Sequence, residues 1–291
     1  MPSAKSKEAR GFFIVLPVSL GRTHNHALEA MDKILSAGEL AKKLGSHILG
    51  LGGYASLFCD KGYTAIRTLK IPVTSGSTFT AWSAFEAIYR TARIKKLDLS
   101  KTTIAVVNAA SAIGSLCSRK LSAYVSKITL NSHPELEFKL QHLKETILQL
   151  NSLEVDIHIS TPLAVRQADI VIFTDDMPEA ELNISDLKPK AIICDASVAR
   201  VIAAKAKSRR DITVIEAGLI KMPKPVKFSV NTGLPRGIIS ASMAEAMLLT
   251  LEGKFSNYSL GENINLDKME EIADIATRYG FEVWVPEAPI L

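Results

Sequence analysis

Residues 103–115 read TIAVVNAASAIGS, and the chemistry this pattern can do is phosphate binding. A β-branched apolar run predicts a buried parallel strand. Small residues then make a tight turn, and residues 113–124 are expected to form the next helix. A helix start offers unpaired backbone N–H groups and the positive end of the macrodipole, which together suit a pyrophosphate. A dinucleotide fingerprint places three glycines there, spaced G-x-x-G-x-x-G or G-x-G-x-x-G. The matching positions hold Asn108, Ser111 and Gly114, so one glycine of three is kept. Asn accepts positive φ better than most residues, and a serine hydroxyl can bond a phosphate. Both side chains still crowd the phosphate path, so glycine at both positions is expected to tighten binding. Asn108, Ser111, Ile113 and Gly114 are the candidate cofactor contacts of this turn.

The end of the following strand, residues 129–133, reads TLNSH. An acid there would bind the ribose 2′-OH of NAD, and a basic residue would take the phosphate of NADP. There is no acid, so NADP(H) is favoured over NAD(H), with Asn131, Ser132 and His133 as candidate phosphate contacts. The same three residues suit an ordinary turn before a helix, with Ser132 as its cap.

Gly52 and Gly53 follow a predicted strand and allow either a sharp turn or close approach of a ligand. Ser75, Gly76, Ser77 and Thr78 offer hydroxyls and N–H groups at a helix start, for capping or for an anion. Asp195 ends a strand and serves either a cleft or a turn. Cys59, Cys117 and Cys194 have neither metal-site spacing nor a disulfide pattern, which points to a reducing, cytoplasmic compartment. Cys117 and Cys59 are expected in the core. His24 and His26 have no third ligand nearby in sequence, so no metal is expected.

At 291 residues the chain can bury a large core, and 47% hydrophobic with 22% charged residues is ordinary for a globular enzyme. The net charge of +5 is scattered, densest at residues 93–96, 205–210 and 221–227. These are solvated helix ends and loops, or contacts for an anionic ligand or acidic partner. No aromatics interleave with them, which argues against nucleic acid. No apolar run reaches the roughly 20 residues needed to span a bilayer. Residues 1–10 are polar, lack the apolar core of a signal peptide and are expected to be a flexible tail.

The elements that must position these groups follow from periodicity. A strand is expected at 12–18, a helix at 25–44 stopped by Gly45, a strand at 47–51, and a helix from 78 or 79 to 95. From residue 97 strands and helices alternate. Strands are predicted at 102–107, 127–130, 155–159, 170–174, 191–195 and 213–216. Helices are predicted at 113–124, 135–150, 163–167 and 199–207. Two amphipathic helices, 240–252 and 266–279, close the chain. Repeated βαβ units predict an α/β fold: a Rossmann-like doubly wound parallel sheet with an N-terminal α/β domain and C-terminal helices. The expected domains are 1–97 on the substrate side, 98–236 for the dinucleotide, and 237–291 packing back on the first. The ligand cleft belongs at the carboxyl ends of the central strands.

Five segments carry a family resemblance in matching order: LGLGGYASLF at 49–58, TSGSTFTAW at 74–82, the turn at 103–115, ICDASVAR at 193–200, and the long run ASMAEAMLLTLEGKFSNYSLGENINLDKMEEIADIATRYGFEV at 241–283. Together they resemble the cyanobacterial long-chain acyl-[acyl-carrier-protein] reductase family. The resemblance implies NADPH-dependent reduction of a fatty acyl thioester to an aldehyde, with acyl carrier protein as a partner. It makes Gly218, in Glu216-Ala217-Gly218, part of a nicotinamide-proximal turn. It places Gly52, Gly53 and residues 75–78 on the substrate side. The family carries a nucleophilic cysteine where this chain has Ser242. A thiolate attacks thioesters near neutral pH, whereas serine needs a base; Glu245 lies one turn on, on the same face. The family's arginine near 131–133 and histidine near Phe79 are also missing. Ser242 is thus either an active-site position with altered chemistry or a small residue at a packing interface. The alternatives to an acyl reductase are a reductase of a free carbonyl or imine, and a non-catalytic ligand-binding or scaffold protein. A homo-oligomer is compatible with either.

Overall fold

A computed structural model describes residues 8–16, 24–174, 182–224, 226, 228, 231–261 and 264–285. In chain order the elements are α1 His24–Lys43, β1 Leu49–Gly50, α2 Ala55–Phe58, α3 Tyr63–Leu69, β2 Val73–Thr74 and α4 Ser77–Ile94. Then come β3 Thr103–Val107, α5 Ala112–Leu121, β4 Lys127–Asn131, α6 Glu137–Leu150, β5 Glu154–Ile157, α7 Thr161–Val165 and β6 Ile170–Phe173. The chain continues with β7 Ile192–Asp195, α8 Val201–Ala206, β8 Thr213–Glu216, β9 Leu219–Lys221, β10 Ile238–Ser240, α9 Ala241–Glu252, α10 Leu266–Tyr279 and β11 Glu282–Val283.

The chain divides into two compact units. One spans 1–79 and 219–282, the other 80–218 and 283–291. These limits differ from the boundaries expected at 97/98 and 236/237. The first difference has a packing reason. Beyond Thr80, α4 gives its apolar side to the second unit: the Cys117 thiol donates to Ala81 O at 3.6 Å, and the Phe85 ring lies 5.3 Å from Tyr124.

The second unit holds a six-stranded sheet ordered β5-β4-β3-β6-β7-β8 with every pairing parallel. The chain winds outward from β3 through β4 to β5, then crosses back to lay β6 on the other side of β3. That reversal is the doubly wound, Rossmann-type arrangement. Its central strands are buried on both faces, which is why they read as unbroken apolar runs. Ala105, Val107, Val171, Phe173 and Ile193 belong to one core cluster there.

The first unit has a short parallel pair, β1–β2, and an antiparallel pair, β9–β10. Ile34, Leu51, Cys59, Leu69 and Val73 form its core. Its helices are capped by local chemistry. Ser240 caps α9 and Asn265 caps α10, and both helices end on left-handed glycines, Gly253 and Gly280. Both were expected within a residue of their observed limits.

Three expectations need correction. Residues 12–16 form no strand; Phe12, Phe13 and Val15 are exposed, so the apolar run there marks no buried face. Residues 17 and 18 of that segment lie outside the described residues, as do 1–7 of the polar tail and 225 and 227 of the basic run. The helix expected from 199 starts at Val201, because Arg200 has φ 52° and cannot be a helical residue. The helices α2 and α3 and the β9–β10 pair were not anticipated. They are too short for periodicity to speak.

Candidate functional site

At the end of β3 the chain turns through Asn108, whose φ is 60°. Asn is among the few L-residues that enter this region routinely. The turn is fastened from three sides. Thr174, just past β6, donates its hydroxyl toward Val107 O and Asn108 O, each at 3.1 Å. Ser132 donates to Asn108 Oδ1 at 3.0 Å. Ser111 is the N-cap of α5, its Oγ accepting the Gly114 N–H at 3.0 Å and lying 3.1 Å from Thr174 Oγ1. Gly114 is the close-packing glycine: a Cβ there would come within 2.4 Å of Asn108 O and 2.8 Å of Ala109 Cα. Ile113 sits in the first turn of α5, where N–H groups have no intrahelical partner. Thr174 was missed by sequence reasoning. The signal was there, as a hydroxyl ending the strand next to β3.

Residues 131–133, the last of β4 and the two after it, do different things. Asn131 is buried, donating to His158 O at 2.7 Å and accepting from Thr161 Oγ1 at 3.3 Å, so its amide is turned inward. Ser132 holds Asn108 and is not the cap. His133 takes that place, accepting the Glu135 N–H at the start of a 3-10 turn, Pro134–Leu136. Its imidazole is exposed. Gly218 has φ 76° and donates its N–H to Ser83 Oγ at 3.1 Å. Asp195 is buried and fully engaged, accepting from Ser197 N–H at 3.0 Å, Ser197 Oγ at 2.6 Å and Ala203 N–H at 2.8 Å. It is a turn and helix-start residue. The three cysteines are buried. Burial pushes the Cys117 thiol up to about 12 and raises those of Cys59 and Cys194, so none is a thiolate nucleophile.

In the first unit, Ser242 is the second residue of α9. Its Oγ lies 3.0 Å from Ser240 Oγ, which accepts the Met243 N–H at 3.3 Å. Among the described residues no histidine hydrogen-bonds Ser242. Glycine backbones surround this helix start. A Cβ on Gly76 would fall 2.2 Å from Ser242 Cα, one on Gly50 would fall 2.8 Å from Ala246 Cβ, and one on Gly52 would stand 3.8 Å from Ser242 Oγ. Gly53 has φ 54° and its carbonyl accepts from Ser56 Oγ at 3.4 Å, a turn beside the site rather than part of this contact.

The turn at 75–78 is satisfied from within. Ser75 and Ser77 hydroxyls pair at 2.9 Å, Ser75 N–H donates to Ser259 O at 2.9 Å, and Thr78 N–H donates to Ser259 Oγ at 3.2 Å. Glu245 is completely buried here. Its carboxylate accepts from Thr74 Oγ1, from Ser259 Oγ at 2.7 Å and from the Phe79 N–H at 2.8 Å. Burial raises its pKa, and these hydrogen bonds, with one from the Gly76 N–H, oppose the rise. The start of α4 therefore meets the protein's own carboxylate. Ser259 was not foreseen, because it lies in a loop distant in sequence from everything it binds.

No His, Cys, Asp and Glu cluster able to hold a metal occurs among the described residues. The side chains of His24 and His26 lie outside the described residues. No described helix is long and apolar enough to cross a membrane.

No protein-family model matches the chain. It is 26% identical to the long-chain acyl-[acyl-carrier-protein] reductase of Synechococcus elongatus, over 87% of this chain and 76% of that protein. It is 25% identical to aminotransferase PigE of Serratia sp. over 97% of this chain, which spans only 33% of that longer protein. These identities mark a distant relationship. Among solved structures, L-tryptophan dehydrogenase from Nostoc punctiforme matches at 13% identity and TM-score 0.44, over 85% of this chain and 64% of that one. The 5-ketofructose reductase of a Gluconobacter strain matches at 11% identity and TM-score 0.35, over 65% and 63%.

Proposed function

We propose that this chain is an NAD(P)-dependent oxidoreductase whose substrate carries a carbonyl of the acyl-thioester or aldehyde level. The observation that carries the reading is the β3–turn–α5 unit at the point where the strand order reverses. Open α/β sheets bind their ligands at such a point. The residues there fit a dinucleotide: Asn108 turns the chain in the left-handed region, Gly114 permits close helix–strand packing, and Ile113 lies in the first turn of α5. A bound nicotinamide would supply the reducing equivalent. Ser132 and His133 stand where a 2′-phosphate is read, with no acid among them, so the preference is for NADP(H). Gly218 is assigned to the nicotinamide side.

For the substrate we assign Ser242 with Gly52, Gly53 and the turn of Ser75, Gly76, Ser77 and Thr78. Ser242 has a serine hydroxyl for a neighbour and, among the described residues, no base hydrogen-bonded to it. Its role is to hydrogen-bond a carbonyl oxygen, not to attack it. Reduction then proceeds without an acyl-enzyme, which favours a free carbonyl or imine as the alternative substrate to a carrier-bound thioester. The distant reductase supports the thioester, with acyl carrier protein as partner. The relative named an aminotransferase supports an aldehyde product, since aldehydes are amino acceptors.

Calorimetric titration with NADPH, NADH and ADP tests the core of this reading. Saturable heat with NADPH, weaker with NADH, is expected, and thermal stabilisation should follow the same order. If none of the three binds, the chain is a ligand-binding or scaffold protein instead.

A further inference from the structure

Glu245 is a fully buried acid that the proposed chemistry does not use, and its surroundings are built for it. Four segments of the first unit converge on one carboxylate: Thr74 at the end of β2, Gly76 in the turn, Phe79 in the first turn of α4, and Ser259 in the loop after α9. A buried carboxylate is costly unless its lone pairs are met, and here donors meet both oxygens. The turn they hold is the one that seats Gly76 against Ser242, so close that a single Cβ would not fit. Thr74 and Ser259 are cross-linked as well, the Ser259 N–H donating to Thr74 Oγ1 at 3.3 Å. Glu245 and Ser242 lie on the same helix one turn apart, so the helix that carries Ser242 also carries the anchor of the wall opposite it.

We propose that Glu245 is the positioning residue of the Ser242 site: through Thr74, Ser259, Gly76 and Phe79 it fixes the 74–79 turn in the place that sets the wall of that site. This rests on the assignment of Ser242 to the substrate side. The claim is geometric, and it makes a distinctive demand. Oε1 faces two hydroxyls and Oε2 faces a backbone N–H. Hydroxyls accept as well as donate. An amide whose oxygen replaces Oε2 still takes the Phe79 N–H, and its NH2 can donate to Ser259 Oγ, whose own proton turns to Thr78 Oγ1 at 2.7 Å; Thr74 Oγ1 already accepts the Gly76 and Ser259 N–H groups, so its hydroxyl proton is left without the carboxylate it donates to. Glu245→Gln should therefore keep the Phe79 and Ser259 contacts and lose that of Thr74, whereas Glu245→Ala loses all of them.

The test uses the full chain carrying Ser242→Cys, with peptide mapping to read the introduced thiol apart from the buried cysteines. Three readouts are taken for the parent background, Glu245→Ala and Glu245→Gln: hydrogen exchange of the Gly76 and Phe79 amides, alkylation by iodoacetamide, and acyl transfer from palmitoyl-coenzyme A. In Glu245→Ala, exchange at both amides should rise about tenfold or more, as for loss of a hydrogen bond to a charged group. Alkylation should rise as the wall opens, and acyl transfer should fall. Glu245→Gln should lie between the parent and Glu245→Ala in all three, with the Phe79 amide near its parent value. Unchanged amide exchange in Glu245→Ala, or a Gln variant as disturbed as the Ala variant, overturns the proposal. If Glu245→Ala does not fold, Thr74→Val with Ser259→Ala removes two donors and takes its place; parent-like exchange there overturns it equally. Absence of acyl transfer in every background, with exchange and alkylation behaving as stated, would instead sink the acyl-thioester reading of the site and leave the positioning role standing.

Discussion

The turn after β3 and the start of α9 are built alike and have been altered differently. Each brings a helix N-terminus against backbone by means of a glycine, Gly114 in one and Gly76 in the other, and neither glycine has room for a Cβ. Each has a serine at the position where the resemblance expects something else. Ser111, in place of a glycine, has work in the fold, because it caps α5 and touches Thr174. Ser242, in place of a cysteine, has none of that kind, because Ser240 is the cap of α9. A serine that caps a helix has been absorbed into the structure. A serine with no such duty is open to the role proposed for it at the substrate side. On the proposed reading, the comparison separates a turn fastened by its own side chains from a helix-start serine whose hydroxyl meets only Ser240.

Ser242→Cys gives the largest effect and tests that separation directly. A thiol in the first turn of a helix has a lowered pKa and is nucleophilic near neutral pH. Intact mass after incubation with an acyl thioester should show no adduct on the unaltered chain and one adduct on Ser242→Cys. An adduct on the unaltered chain would erase the distinction between the two serines.

Next come the two glycines. Gly76→Ala places a Cβ against Ser242 and forces a residue with φ 78° into a region L-residues avoid. Gly114→Ala drives a Cβ into Asn108 O. Overpacking against backbone should cost about 2–3 kcal/mol in each, and the positive φ adds to it at Gly76. Urea unfolding measures the loss, and NADPH binding should vanish in Gly114→Ala alone. Loss of binding in Gly76→Ala as well, with the protein folded, would mean the two regions are not separable.

Much of this was legible in the sequence. The central strands of the second unit announce themselves by apolar runs, because a parallel sheet buries both of their faces. The ends of α9 and α10 announce themselves by Ser240, Asn265, Gly253 and Gly280. What could not be read was which polar residue touches which. Asn131 and His133 look alike as turn residues, yet one is buried among β5 and α7 backbone and hydroxyl partners while the other is exposed. Ser75, Gly76, Ser77 and Thr78 invited an anion, yet the carboxylate beside them, that of Glu245 some 170 residues away in sequence, takes the Gly76 N–H and the flanking Thr74 hydroxyl and Phe79 N–H. Periodicity reports the face a residue lies on. It does not report a hydrogen bond closed by a loop such as the one bearing Ser259.

A moderate effect is expected at Ser111. Ser111→Ala removes the cap of α5 and should cost about 1 kcal/mol, whereas Ser111→Gly should cost a few tenths. Asn108→Gly with Ser111→Gly clears both side chains from the turn and releases the Gly114 N–H for a phosphate. NADPH should bind the double variant several times more tightly, read by calorimetry. Weaker binding would show that the side-chain fastening of this turn is itself what makes it a phosphate site, and would widen the contrast with Ser242.

The smallest effect is a slope. Burial raises the Glu245 pKa in the folded protein above its value in the unfolded chain. Across the interval between those two values the folded state binds the extra proton, so stability is lost as pH rises. The contribution is full below the ordinary carboxylate range and disappears as pH climbs through the raised folded value. Melting temperatures of the unaltered chain and of Glu245→Gln, taken from pH 4 upward and subtracted, isolate it. The difference should favour the unaltered chain most at the acid end and decline with pH. The same subtraction for Ser111→Ala should be flat, because a serine cap does not titrate. A rising difference for Glu245 would mean that its hydrogen bonds from Thr74, Ser259, Gly76 and Phe79 outweigh burial. The carboxylate would then be ionised at its anchor, and the Ser242 region would be held by charge where the Asn108 turn is held by neutral groups.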